Sequence, residues 1–243
     1  MSEWIYPQRI AHRGAGKLAP ENTLAAFKLG ARYGYRMFEC DVKLSSDGVP
    51  FLLHDDTLER TTNGQGVAGQ LDWQALQQFD AGSWHSSAYA GEPLPSLDTI
   101  AAFCISAGFD LNIEIKPTTG TDQKTGEVVA QHAARLWQNE ARQPLLTSFK
   151  PDALQAARDA APQLPRGLLL HELWTGWLET GLMLGCQAII CDYKLWDARS
   201  LLQAKSAGFK TLSYTVNDET EASRLLALGI DGIITDRVDI FKP

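Results

Sequence analysis

Short apolar runs alternate with longer stretches of helical period along nearly the whole chain. Residues 9–11, 37–42, 111–115, 145–148, 167–170, 188–191, 211–215 and 232–234 read as strands, being brief and rich in Ile, Leu, Val or Phe. Between them, residues 23–33, 97–107, 126–139, 152–160, 174–184, 197–207 and 219–228 carry the i, i+3, i+4 spacing of amphipathic helices. Gly108, Gly208 and Gly229 stand just past three of these, where a left-handed cap is expected. Eight strands alternating with helices predict an α/β protein, a closed (β/α)8 TIM barrel. An open doubly wound sheet is the competing arrangement, but no GxGxxG follows the first strand.

One region breaks the alternation. Residues 49–55 look like an additional strand, and residues 56–95 are rich in Gly, Thr, Ser and Asp. So long a connection is unusual between a strand and a helix. It predicts an excursion over the barrel mouth, within a single domain spanning residues 1–243.

The chain of 243 residues is 44% hydrophobic and 21% charged, enough to build a barrel core, and carries a net charge of −7. An acidic surface argues against nucleic acid and against stable association with anionic membranes, so a bound anion needs a local positive pocket. The four cysteines, Cys40, Cys104, Cys186 and Cys191, form no CxxC pair and read as buried thiols of a reduced protein. Residues 1–7 lack the basic and apolar regions of a secretion signal, and no run is long enough to span a membrane. A soluble, cytoplasmic location is expected, with a homo-oligomer left open.

Active sites of such barrels lie at the C-terminal strand ends. There the sequence offers His12 and Arg13, Glu39 and Asp41, His54 and Asp55, Glu114 and Lys116, Asn217, and Asp236. Glu39 and Asp41 alternate on one strand and share a face, with Cys40 turned to the helices. With Glu114 they form a set of hard oxygen donors that suits one divalent cation, Mg²⁺ or Ca²⁺, better than Zn²⁺. A divalent ion plus Arg13 and Lys116 leaves that pocket one unit positive, which a phosphodiester or carboxylate monoanion neutralises. His12 and His54 are candidates for acid–base catalysis. Pro20-Glu21-Asn22-Thr23 opens the first helix, with Asn22 or Thr23 as N-cap and Glu21 either capping or reaching a ligand. Tyr214, just before Thr215-Val216-Asn217, is a candidate substrate contact. His85, His132 and His171 read as structural.

Taken in order, His12-Arg13-Gly14, Pro20-Glu21-Asn22-Thr23, Glu39-x-Asp41, His54-Asp55, Glu114-Ile115-Lys116-Pro117, Thr215-Val216-Asn217 and Asp231 to Asp236 resemble the glycerophosphodiester phosphodiesterase family, closest to its short soluble bacterial members. The resemblance implies a barrel with an insertion after the second strand. It implies a divalent metal on Glu39, Asp41 and Glu114, catalysis by His12 and His54, and phosphate binding by Arg13 and Lys116. Glu21, Asn217 and Tyr214 join the expected substrate-binding set. The implied reaction is hydrolysis of small glycerophosphodiesters to sn-glycerol 3-phosphate and an alcohol. Tyr214 stands where the family often has Trp, and Val238 near a common Pro. His12 is expected to act as base and His54 as acid, with water or the substrate's own hydroxyl as nucleophile. The alternatives are a two-histidine barrel lipase of the phospholipase C or sphingomyelinase D type, which would want an apolar or basic rim, and a non-catalytic binding barrel, which would have lost part of the set.

Overall fold

A computed structural model describes residues 5–243. Its strands are β1 (Arg9–Ala11), β2 (Met37–Leu44), β3 (Pro50–Leu52), β4 (Asp110–Ile115), β5 (Leu145–Ser148), β6 (Arg166–Leu170), β7 (Ala188–Asp192), β8 (Lys210–Tyr214) and β9 (Gly232–Thr235). Its α-helices are α1 (Leu24–Arg32), α2 (Trp73–Leu76), α3 (Leu97–Ala107), α4 (Asp122–Leu136), α5 (Pro151–Ala160), α6 (Trp177–Met183), α7 (Ala198–Ser206) and α8 (Glu219–Leu228). All strands except β3 pair in parallel, and β1 bonds both β9 and β2, which closes the eight-stranded barrel. β3 runs antiparallel along the end of β2, with Val42 opposite Leu52. Closure leaves neither β1 nor β9 as an open edge.

The two faces of each strand separate as the alternation requires. Phe38, Cys40, Val42, Leu111, Ile113 and Ile115 face outward into a core shared with Leu97, Ile100 and Cys104 of α3 and Val129 of α4. Ile10, Met37, Leu145, Leu169, Ile190, Leu212 and Ile234 fill the barrel interior beneath the site. All four cysteines are free and buried, as expected.

Two boundaries differ from the sequence reading for physical reasons. α4 begins at Asp122 rather than near Gly126. Gly126 is inside the helix because a Cβ there would lie 2.1 Å from the carbonyl oxygen of Ala153 on α5, so the bare backbone permits that close crossing. β2 extends to Leu44 because β3 supplies a partner for its last residues.

The excursion between β3 and α3 is ordered around a small core of its own, built from Phe51, Leu53, Leu58, Ala68, Leu76, Ala81 and Leu94. Among the described residues, no helix is long and apolar enough to cross a membrane.

Candidate active site

Strand register brings the acids together. Asp41 pairs with Glu114 and Glu39 with Asn112 across β2 and β4, so all four side chains stand on the inner face. Candidate ligand oxygens of Glu39, Asp41 and Glu114 lie within 4.8 Å of one another, and all three residues are buried. Burial, then the charge of Asp41, raises the Glu39 carboxyl; the same two causes raise Glu114. Asp41 is held low: burial pulls upward, but Arg13 and Lys116 outweigh it.

The turn after β1 delivers His12 and Arg13. The His12 N–H donates to Thr235 O at 3.0 Å, fixing the strand end against β9. Arg13 then adopts a left-handed backbone (φ 51°), uncommon outside glycine and asparagine. Its N–H donates to Glu39 Oε2 at 3.0 Å, and its carbonyl accepts from the Asn22 N–H at 3.0 Å. Thr23 is the N-cap of α1, accepting from the Ala26 N–H. That frees Asn22, itself left-handed (φ 58°), to donate from Nδ2 to Asp41 Oδ2 at 2.8 Å and accept from the Asp41 N–H at 3.1 Å.

Each histidine is held by a carboxylate through Nδ1. His12 meets Asp236 Oδ1 at 2.6 Å, and His54 meets Asp55 Oδ1 at 2.6 Å. An ionised carboxylate only accepts, so Nδ1 carries the proton and Nε2 is left for chemistry. Nε2 of His12 lies 3.7 Å from Glu39 Oε2. Burial lowers the His12 imidazole, but the Asp236 hydrogen bond and Glu39 offset this, and the net direction is upward. His54 is lowered, first by burial and then by Arg13 and Lys116, against the opposing pull of Asp41 and Asp55. His54 reaches the site because β3 returns along β2: the Leu53 N–H donates to Asp41 O at 3.1 Å.

A cavity of about 180 Å³ lies among His12, Arg13, Glu39, His54, Glu114 and Lys116. Lys116 Nζ donates to Glu114 Oε1 at 3.0 Å and lies 3.4 Å from Asp41 Oδ1. Tyr214 lines the cavity; its hydroxyl donates to Leu170 O, and its ring stands edge-on to Phe149 at 5.6 Å. Phe149, Asn112 and Thr147 also line it and escaped the sequence reading. Asn112 was legible in principle as the inner-face residue two before Glu114. Phe149 follows a strand end with no motif around it.

Asn217 and Glu21 lie outside the lining of this cavity, and Glu21 lines an adjoining one with His12, Arg13 and Asp236. Asn217 Nδ2 donates to Asp236 Oδ2 at 2.8 Å, and Asn217 Oδ1 accepts from the Asp236 N–H at 2.8 Å, so Asn217 fixes the carboxylate behind His12. Glu21 accepts from Arg13 Nη1 at 2.7 Å and pairs with Arg60 of the excursion. The sequence reading found no chemistry for Arg60, because nothing in residues 56–95 signals which of them turns back to the site.

The donor set can be tested for a metal. Among the described residues, buried Asp41 Oδ1 and buried Arg13 Nε each make no hydrogen bond, although they lie within ion-pair distance of Lys116 Nζ (3.4 Å) and Asp41 Oδ2 (3.0 Å) respectively. A buried orphan is costly unless a ligand satisfies it. A buried acceptor and a buried donor, each without a hydrogen bond and side by side, fit a divalent ion next to an oxyanion, and three carboxylate ligands match the hard-oxygen preference of Mg²⁺ or Ca²⁺.

Comparison with known proteins agrees with this arrangement. The model of the glycerophosphoryl diester phosphodiesterase family matches residues 12–240. The glycerophosphodiester phosphodiesterase of Caldanaerobacter subterraneus is 32% identical over 235 residues, covering 93% of each chain. A phosphodiesterase of Oleispira antarctica, solved with the product sn-glycerol 3-phosphate, superposes with a TM-score of 0.89 at 34% identity, covering 95% of this chain and 93% of that one. A glycerophosphodiester phosphodiesterase of Agrobacterium tumefaciens gives 0.82 at 28% identity, covering 97% and 98%. With the barrel, the inner-face acids and the paired histidines in place, the chain belongs to the glycerophosphoryl diester phosphodiesterase family.

Proposed function

We propose that this protein hydrolyses small glycerophosphodiesters to sn-glycerol 3-phosphate and an alcohol, using one divalent cation, Mg²⁺ or Ca²⁺, and two histidines. The carrying observation is the convergence of three buried carboxylates, two cations and two carboxylate-held imidazoles, all but Asp41 lining one cavity. Glu39, Asp41 and Glu114 would hold the ion, which supplies Lewis-acid polarisation of a phosphate oxygen when bound. Arg13 and Lys116 bind the remaining phosphate oxygens and stabilise charge that builds on them during attack. Phe149 and Tyr214 offer an apolar wall for the glycerol carbons, and Asn112 Nδ2, buried without a hydrogen bond among the described residues, offers a donor in the cavity lining.

Proton transfer falls to the two Nε2 atoms. The reaction needs one proton removed from the attacking oxygen, water or a glycerol hydroxyl, and one delivered to the departing alkoxide. Burial first, then Arg13 and Lys116, lower the His54 imidazole and so favour its neutral form, the state of a base. This favours His54 as base and His12, through Nε2, as acid, the reverse of the division expected from the sequence.

The test is release of sn-glycerol 3-phosphate from glycerophosphocholine and glycerophosphoethanolamine, before and after chelation. Activity should vanish in EDTA and return with added Mg²⁺ or Ca²⁺. Full turnover by protein shown free of metal by elemental analysis refutes the metal-dependent reading. His12→Ala and His54→Ala should each cost on the order of 10²-fold or more in kcat. The acid limb of kcat/KM, where His54 gains its proton, should lie below the ordinary histidine value and disappear in His54→Ala.

A further inference from the structure

Arg60 is exposed, yet its guanidinium grips two carboxylates at once. Nε donates to Asp55 Oδ2 at 2.6 Å and Nη2 to Asp55 Oδ1 at 3.0 Å. On the other side Nη1 donates to Glu21 Oε2 and Nη2 to Glu21 Oε1, both at 2.8 Å. Each carboxylate is also bonded to a group of the site: Asp55 Oδ1 to His54 Nδ1, and Glu21 Oε1 to Arg13 Nη1.

Resting on the phosphodiesterase reading, we infer that Arg60 is a positioning residue that couples the proton-transfer group His54 to the phosphate-binding group Arg13. The excursion thereby fixes the relative placement of two groups that arrive on separate loops, after β1 and after β3.

Most exposed ion pairs contribute little, because two mobile side chains must be immobilised against strong solvent screening. Arg60 departs from that case in three ways. The planar fork engages both carboxylates in bidentate fashion, which a lysine cannot reproduce. Glu21 is only 14% exposed, so its half of the clamp is sheltered. The backbone is also pinned on both sides: Leu58 is fully buried, Thr61 and Thr62 are buried, and both the N–H and the hydroxyl of Thr62 donate to Leu58 O. Arg60 thus projects from a fixed turn and loses little further freedom on clamping. Arg60 first, and His54 after the opposing effect of burial, hold the Asp55 carboxyl well below its usual range, so it remains an ionised acceptor for His54.

The two halves of the clamp make separable demands. Loss of the Glu21 side loosens Arg13 and should weaken phosphate binding. Loss of the Asp55 side frees His54 and should slow turnover. The experiment is a pair of double-mutant cycles, Arg60→Gln with Glu21→Gln and Arg60→Gln with Asp55→Asn. They are read as kcat and KM on glycerophosphocholine and as calorimetric Kd for sn-glycerol 3-phosphate. Arg60→Gln alone should lower kcat and weaken the product Kd, each by about tenfold, within the range for directly coupled groups. In the Glu21→Gln background the Kd effect of Arg60→Gln should disappear, and in the Asp55→Asn background its kcat effect should disappear. Arg60→Lys should not rescue either, since it restores charge without the fork. Additive effects in both backgrounds, or wild-type kcat and Kd in Arg60→Gln with an unchanged melting temperature, overturn the proposal. If the wild-type protein releases no sn-glycerol 3-phosphate from any glycerophosphodiester, the phosphodiesterase reading fails. The product-binding cycle would then still decide the link from Arg60 to Arg13.

Discussion

Gly16 offers a stringent probe of how backbone packing sets the catalytic geometry. It has φ +56°, and a Cβ built there would lie 2.2 Å from both the Cα and the carbonyl oxygen of Asp236. Ordinary carbon contacts are about 3.5 Å or more, so Gly16→Ala requires a relative shift of roughly 1.3 Å between the loop after β1 and the residue after β9. Both sides carry site groups: His12 precedes Gly16 in the same turn, and Asp236 holds His12 Nδ1 at 2.6 Å. A left-handed alanine costs about 1–2 kcal/mol and overpacking about 1–3 kcal/mol, so the expected destabilisation is about 2–5 kcal/mol. A displacement of this size at a catalytic group can cost on the order of 10²-fold in rate, or about 2.7 kcal/mol of transition-state stabilisation. The assay is kcat/KM with a thermal melt, run beside Gly108→Ala. Gly108 has the same left-handed habit (φ +66°) at the end of α3, with no atom of the described residues within 4 Å of the added Cβ. Gly108→Ala should lose only the backbone contribution and keep its turnover. A Gly16→Ala enzyme with wild-type kcat would show that the Asp236 contact does not govern His12 placement.

Three further outcomes follow from the site and the barrel. In Asp236→Asn the amide oxygen is drawn to the Asn217 Nδ2 donor, which leaves an NH₂ facing His12 Nδ1 and favours the wrong tautomer, so kcat should fall by roughly 10²- to 10⁴-fold, while Asn217→Ala, one step removed, should cost less; equal losses would contradict that order. Asn112→Ala should raise KM for glycerophosphocholine more than for a phosphodiester without glycerol hydroxyls, and an equal change for both would remove Asn112 from the substrate site. At the base of the barrel, burial, partly countered by Arg142, raises the Asp110 carboxyl to about 6 from 3.8. The folded state then holds a proton that the unfolded chain has released, so this group costs stability increasingly as pH rises through that interval, and the cost is complete above it. Asp110→Asn should therefore raise the melting temperature at about pH 8 and have a smaller effect at about pH 4.5, and a fall at pH 8 would refute the assignment.

Much of the barrel was legible in the sequence because its signals are local. A parallel strand buried on both faces reads as a short apolar run, and amphipathic helices announce themselves by period. The strands from β4 to β9 lie where those runs lie, within a residue or two. Glu39 and Asp41 could be put on one face, and Cys40 on the other, from strand alternation alone. Gly126 was misread as a helix boundary because its reason for being glycine, the carbonyl of Ala153, lies on another helix.

The sequence by itself determined the inventory: which strands alternate with which helices, which residues carry charge and imidazole, and that the acids outnumber the cations near the strand ends. Tertiary structure alone decided the partners. That Asp41 faces Glu114 depends on the register of β2 with β4. That His54 enters the site depends on β3 folding back along β2. That Asn217 serves Asp236, and Glu21 bridges Arg13 to Arg60, depends on loops brought together by barrel closure. Spacing along a chain encodes the period of a helix or strand. Distances between side chains on different strands are set by closure, register and loop packing, which no local pattern contains.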